Sequence, residues 1–224
     1  MLSTANRPGV SVEARTVPAL SFSPLQDAGR LTQAISRLGI AIAVDRNCQV
    51  FGELEPAQYY YWIKSGLVRS CRFLRDGRRQ IAAFHFPGDI FGFTSTALHG
   101  LSAEAAEPSR LVAVKRETLF AAAAEDVELA MALLDLAVDE LRRAREHVVL
   151  LGKTTAPERI VAFLHGLAAA HARGEMVDIP MSRQDIADYL GLTIETVSRT
   201  LTQFGESGVI ELESTRRMRI PAPA

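Results

Sequence analysis

Cysteine is scarce in this chain: Cys48 and Cys71 are the only two among 224 residues. Two thiols cannot staple a small secreted fold, nor supply the four ligands of an iron–sulfur centre within one chain. A reducing, cytoplasmic setting is the expectation. No run of 18 apolar residues occurs, and the opening MLSTANRPGVSVEARTVP has no apolar stretch behind a basic flank, so neither a membrane span nor a secretory signal is expected. Strong charge of either sign is missing as well. With 25 basic and 26 acidic side chains the formal net charge is −1, which excludes a polycation that coats nucleic acid indiscriminately. What is present is ordinary globular material, 48% hydrophobic and 23% charged, with length for one domain and a smaller second one.

Segment 1–24, with Pro8, Pro18 and Pro24 among Ser, Thr and Gly, reads as a flexible arm leading into a helical stretch over 31–38. From Ile40 to Phe120 the chain breaks into short apolar or alternating runs, IAIAV, YYYWIKSG, LVRSCRFL, RRQIAAFHF, IFG and RLVAVKR, separated by turn signals. That spacing predicts a small antiparallel sandwich or barrel over 25–123. Asp76-Gly77 marks a hairpin, because glycine accepts the positive φ that a tight turn between strands demands, and Pro87-Gly88-Asp89 marks a second turn.

Near Ala124 the period changes. Met131, Leu134, Val138, Leu141 and Val148 alternate at spacings of three and four, with one gap at Arg145, as along a helix–helix seam. A helix over 124–152 is predicted, pairing with its twin across that stripe or packing the stripe on its own β domain. Asp135, Asp139, Arg142, Arg143 and Glu146 make its other face polar.

The unit over 153–224 reads as helix, short strand, two short helices and a hairpin. Pro157 suits a first helical turn, and Ile160, Val161, Phe163, Leu164 and Leu167 give that helix an apolar face ending near Gly174. Met176 to Ile179 can form a strand stopped by Pro180. Helices follow over 183–190 and 194–204, with a hairpin from Val209–Leu212 and Met218–Ile220. Ser182 with Asp185 three residues on is a carboxylate variant of the capping box, and Thr193 caps the second helix. Ile186, Ala187 and Leu190 on one helix meet Val197, Leu201 and Phe204 on the other, and Gly191 permits the left-handed turn between them. This is a helix-turn-helix.

The outward face of the second helix carries Glu195, Thr196, Ser198, Arg199 and Thr202 near the end where a recognition helix meets base edges. Arg199 suits guanine O6 and N7, Glu195 a cytosine N4 amine, and Ser198 a thymine. A merely solvated helix face would also be polar, but here caps, turn and basic hairpin coincide. Ser182, Arg183, Thr193, Thr196, Thr202, Arg216 and Arg217 are placed as phosphate contacts and positioning groups. Residues 153–224 hold eight basic against nine acidic side chains, so their positive groups are local: Arg183 and Arg199 on the helices, Arg216, Arg217 and Arg219 in the hairpin. Modest non-specific affinity, with specificity from base edges and from dimerisation, is the expectation.

SRQDIADYLGLTIETVSRTL, the PGDIFG turn and the order β domain, long helix, winged helix resemble the CRP/FNR family of bacterial transcription regulators over nearly all the chain after residue 25. The resemblance implies an α+β fold: an antiparallel β-roll of the cyclic-nucleotide-binding, jelly-roll type, a dimerisation helix and a C-terminal winged helix-turn-helix. It implies a homodimeric activator on double-stranded DNA with two-fold TTGA-type half-sites, contacting RNA polymerase and no membrane. Glu195-x-x-Ser198-Arg199 is similar to the FNR-type pattern, with Ile194 where the CRP type has an arginine. Gly92 is followed by Phe93 rather than glutamate, and Leu101 stands in place of the arginine before Ser102, so a cyclic phosphate loses its cationic partner and cAMP binding is not expected. Residues 1–47 hold no cysteine for an FNR-type cluster. The resemblance is therefore to the FixK-like branch, cofactor-free regulators in low-oxygen respiratory control.

Two rivals remain open on sequence grounds. A cupin-like metalloenzyme would use His85, but the second histidine expected two residues on is Pro87. A haem- or other ligand-sensing regulator of the same family would take an axial ligand from His85, His99 or a cysteine. The two cysteines otherwise read as small fillers.

Overall fold

The computed structural model describes residue 22 and residues 29–153, 155–169, 175–214 and 216–220. The expected arm over 1–24 therefore lies outside the described residues except for Phe22.

The fold is α+β, as expected. Helix α1 (Gly29–Leu38) precedes eight strands: β1 (Ile40–Val44), β2 (Gln49–Phe51), β3 (Tyr59–Ser65), β4 (Val68–Phe73), β5 (Arg79–His85), β6 (Ile90–Phe91), β7 (Ser102–Ala105) and β8 (Ser109–Lys115). They make two four-stranded antiparallel sheets, ordered β1-β8-β3-β6 and β2-β7-β4-β5. Both turn signals hold. Gly77 sits at φ +83 between β4 and β5, and at Pro87-Gly88-Asp89 the Asp89 N–H donates to Phe86 O at 2.9 Å. Strands β2 and β7 are not among the predicted runs, because QVF and SAEA, three and four residues long, are too short for a period to stand out.

Two sheets close over an interior rich in aromatics. Phe51, Tyr61, Ile63, Val68, Phe91, Ala103 and Leu111 form one buried cluster, with Phe51 stacked on Tyr61 at 5.6 Å between centroids and Phe91 on Tyr61 at 5.3 Å. Such offset stacking adds to what area burial alone contributes.

Helix α2 (Arg116–Glu125) follows β8 directly, and α3 (Val127–Leu151) begins after Asp126, whose carboxylate caps it by accepting from Leu129 N at 3.1 Å. Sequence reading assigned α2 to the β domain and started the long helix at 124. RETLFAAAAE hides α2, because four alanines give no apolar contrast and only Leu119 is buried. On α3 the faces divide in an instructive way. Leu129, Leu136, His147 and Leu150 are buried against the chain itself, while Met131, Leu134, Val138, Leu141 and Val148 are 50–69% exposed. The stripe therefore does not pack on its own β domain. Part of the expected polar face does: Arg143 reaches Asp89 of the β5–β6 turn at 3.2 Å and Asp139 at 2.7 Å, so this side of α3 is an ionic seam rather than a solvated surface.

Helix α4 (Ala156–Ala168) starts with a full capping box between Thr155 and Glu158 and has proline in its first turn. Its expected end near Gly174 lies outside the described residues. Strand β9 (Met176–Asp178), helices α5 (Arg183–Leu190) and α6 (Ile194–Glu206), and strands β10 (Glu211–Ser214) and β11 (Arg217–Arg219) complete the chain, with β10-β11-β9 forming a three-stranded sheet. The hairpin starts two residues later than its apolar pattern suggested. Gly208 at φ +74 turns the chain so that Val209 and Ile210 donate backward to Phe204 O, and Ile210 fills the core instead of extending the strand.

Candidate nucleic-acid interface

The two short helices are fastened at their ends in the predicted manner. Ser182 Oγ accepts from Asp185 N at 3.1 Å, while Asp185 Oδ2 accepts from Ser182 N at 3.1 Å and from Ser182 Oγ at 2.7 Å. Gly191 closes α5 at φ 63, ψ 40, a left-handed conformation costly for other residues. Thr193 Oγ1 then accepts from Thr196 N at 3.2 Å and caps α6. Ile186, Ala187, Leu190, Val197 and Leu201 are at most 3% exposed and Phe204 packs at their edge, so the inward faces meet as predicted. The outward face follows from the same 3.6-residue period.

Thr193, Glu195, Arg199 and Thr202 are exposed, and Thr196 and Ser198 half-buried, along the open side of α6. Hydrogen bonds from its own backbone N–H and from Thr193 hold the Glu195 carboxyl below the usual range, so it is an ionised acceptor. Arg199 enters no ion pair among the described residues. Thr202 donates to Ser198 O at 3.1 Å, and Ser182 spends its hydroxyl on the α5 cap. Arg183 is half-buried at the start of α5.

Arg216 and Arg217 stand exposed in the turn and strand of the wing. Arg217 pairs with Asp178 at 3.1 Å and Glu213 at 2.9 Å; Arg216 lies 3.6 Å from Glu107 of the β-roll. Such half-exposed pairs contribute little, and a phosphate can replace these carboxylates.

Sequence reasoning missed the contact between the two units. Arg69 of β4 donates to Asp185 Oδ1 at 2.9 Å and to Glu104 Oε2 at 2.9 and 3.1 Å. Arg79 of β5 donates to the same Asp185 oxygen at 2.6 Å and to Asp188 Oδ2 at 2.7 Å. Gln80 reaches Tyr189 O, and the His147 ring of α3 stacks on Tyr189 at 3.9 Å with its Nε2 2.8 Å from Tyr189 O. Phe22 packs its ring against Phe86 of the β-roll and Phe163 of α4. No local pattern announces these groups, since the partners lie from 35 to more than a hundred residues apart in sequence.

Among the described residues no group of three or more His, Cys, Asp or Glu side chains is placed to hold a metal ion. His85 ends β5 with Nε2 2.8 Å from Ser70 Oγ and its ring 4.8 Å from Phe91; burial, helped by Arg143, lowers its pKa to about 3. His99 stacks on Phe51 at 3.6 Å. Both imidazoles are spent inside the aromatic interior. Burial pushes the Cys71 thiol up to about 11, so it stays protonated and unreactive, whereas Cys48 is exposed.

Comparison with known proteins agrees with this geometry. The family profile described as cyclic nucleotide-binding domain matches residues 42–126, and that described as bacterial regulatory proteins, crp family, matches residues 179–210. The nitrogen fixation regulation protein FixK of Azorhizobium caulinodans is 49% identical over 199 residues, covering 86% of this chain and 79% of that protein. The chain belongs to the CRP/FNR family. Within it the chain is FixK-like: the Rhizobium meliloti FixK is 42% identical over 163 residues, 73% of this chain and 74% of its own. The solved structure of FixK2 from Bradyrhizobium japonicum superimposes with a TM-score of 0.78 at 41% identity, covering 84% of this chain and 99% of that one. This CRP/FNR protein is a transcription regulator whose relatives are not enzymes, and its crp-type helix-turn-helix is a DNA-binding unit. No helix among its described residues is long and apolar enough to cross a membrane.

Proposed function

We propose that the protein is a homodimeric, sequence-specific transcription activator of the FixK-like type. It reads a TTGA-type palindrome with Glu195, Ser198 and Arg199 on base edges, while Arg183, Thr193, Thr196, Arg216 and Arg217 meet phosphates and Ser182 and Thr202 hold the frame. The β-roll with α1 and α2 is the sensor-like domain, α3 the pairing helix, and the unit from α4 to β11 the DNA reader. The observation that carries this reading is the open face of α6, where an ionised Glu195 and an arginine in no ion pair among the described residues project beside a cap and turn that fix their helix. The exposed stripe of α3 supports pairing, and two readers about one DNA turn apart, roughly 34 Å, match a two-fold site. RNA polymerase is the expected partner of the DNA-bound dimer, and low-oxygen respiratory genes its expected targets, both by resemblance to the FixK-like branch. Cyclic AMP is not the expected effector, because aromatic side chains occupy the β-roll interior and Phe93 stands in place of the acidic residue that follows the glycine in cAMP-binding relatives.

Selection from random duplexes should enrich a TTGA palindrome. Arg199→Ala and Glu195→Ala should each weaken binding to it by about 1–3 kcal/mol per half-site and relax the base preference at one position. Unchanged affinity and preference in both variants would sink the base-reading assignment.

A further inference from the structure

The contact between β-roll and helix-turn-helix is built as a two-point grip on one helix. Asp185, in the first turn of α5, divides its carboxylate: Oδ2 takes the Ser182 N–H and hydroxyl and caps the helix, while Oδ1 takes one guanidinium N–H from Arg69 and one from Arg79. Asp188, one turn further along the same face, takes Arg79 Nε. Two anchors along a helix fix its direction as well as its place. The charges are complementary across the seam. On the β-roll side two guanidinium groups meet Glu104 and the Asn47 amide oxygen, and on the α5 side Asp185 and Asp188 supply two further carboxylates. The side chains of Arg69 and Asp185 are only 8% and 4% exposed, so water does not compete for the pair while the seam is closed.

We propose that Arg69 and Arg79 of the β-roll are positioning residues of the DNA reader: by clamping Asp185 and Asp188 they fix the direction of α5, and through it the presentation of α6 to the second half-site. α6 follows α5 through a three-residue turn and a buried face formed by Ala187, Leu190, Val197 and Leu201, so the two helices move together. The consequence for DNA rests on the function proposed above; the clamp itself does not.

Cys71 supplies a native reporter. It lies at 0% exposure in a single apolar cluster that joins Leu67, Ile81 and Phe84 of the β-roll to Ile186, Ala187 and Tyr189 of α5, two residues along β4 from Arg69. Opening the seam uncovers it. Arg69→Gln and Arg79→Gln, separately and together, leave the Ser182–Asp185 cap intact, so α5 keeps its start. In the full-length protein the double variant should label at Cys71 at least about tenfold faster with a neutral maleimide while melting cooperatively. A reader that finds the correct direction only about a tenth of the time binds the palindrome about tenfold more weakly. A duplex carrying one half-site should be bound as well as by the parent protein, because one reader needs no fixed direction relative to its twin. Exchange of the outer pair, Arg79→Asp with Asp188→Arg, should restore part of the protection and affinity relative to Arg79→Asp alone. Unchanged Cys71 labelling, or equal loss on palindrome and half-site, overturns the proposal; the latter marks local unfolding of the reader. Should the parent protein fail to bind any palindrome, the function fails while the labelling arm still decides the clamp.

Discussion

Leu134 and Leu141 lie on the exposed stripe of α3, at 54% and 50% exposure in the single chain. Full burial of a leucine is worth about 1.5–3 kcal/mol, so completing the burial of a half-exposed one contributes ~1 kcal/mol. Across a two-fold axis each substitution is felt twice, and Leu134→Glu with Leu141→Glu removes about 4 kcal/mol of burial from the paired helices. Like-charged carboxylates facing each other across the seam add about 2 kcal/mol more. At 1.4 kcal/mol per decade the dimer dissociation constant should rise by roughly 10⁴. Sedimentation velocity at micromolar concentration should show a folded monomer in place of a dimer, and palindrome binding should fall with it. Because both leucines face outward, far-ultraviolet dichroism should be unchanged. Leu136→Ala provides the contrast: at 3% exposure it faces the protein's own core, and should cost about 2–5 kcal/mol of folding stability without abolishing pairing. A persistent dimer in the double glutamate variant would refute the assignment of the stripe and move the interface elsewhere.

Two further outcomes are expected. Burial pushes the Glu140 carboxyl up to about 7 against the pull of Arg143, with Asp89 and Asp139 adding to the rise. The folded state thus holds a proton that the unfolded chain releases above about 4.5, and this group's contribution to stability falls as pH rises from there through 7. Glu140→Gln keeps the neutral form, so its melting temperature should match the parent near pH 5 and exceed it at pH 8, by an amount equivalent to about 1–3 kcal/mol. A difference independent of pH would show that the carboxyl does not titrate in that window. Gly191→Ala tests the turn of the helix-turn-helix: an added Cβ would meet nothing nearer than Leu151 Cδ2 at 3.8 Å, so the cost is the backbone at φ +63 alone, about 1 kcal/mol by chemical denaturation. No loss of stability would mean that the turn relaxes at no cost.

The helix-turn-helix was legible because its determinants are local. Ser182, Asp185, Gly191 and Thr193 act within four residues of where they stand, and the buried sets on α5 and α6 repeat with the helical period. The outward residues of α6 followed from that period without further information. Strands β3, β4, β5 and β8 were visible because each buries apolar side chains over six or seven residues, whereas β2 and β7 are too short for a period to stand out and α2 gives no contrast between faces. The stripe on α3 was read as a seam or a core face, and only the packing of Leu129, Leu136 and Leu150 decides that it points outward. Least legible was the function of Arg69 and Arg79. In sequence they are two basic residues in alternating strands, indistinguishable from solvated ones, and their partners lie 116 and 109 positions downstream.

The divided carboxylate of Asp185 limits how freely this chain's two units can be exchanged for others. A helix-turn-helix grafted onto this β-roll from a relative lacking an acid at that position would retain its own fold and its base-reading side chains. It would nonetheless leave two arginines of the host sheet to share Glu104 without the Asp185 carboxylate, and the graft without a fixed bearing. Conversely, the reader transplanted onto a foreign sheet would keep its cap and lose its anchor. The two units are separate in sequence, yet in this chain they meet as a matched pair, through two strand arginines and a helix carboxylate that also serves its own helix as a cap.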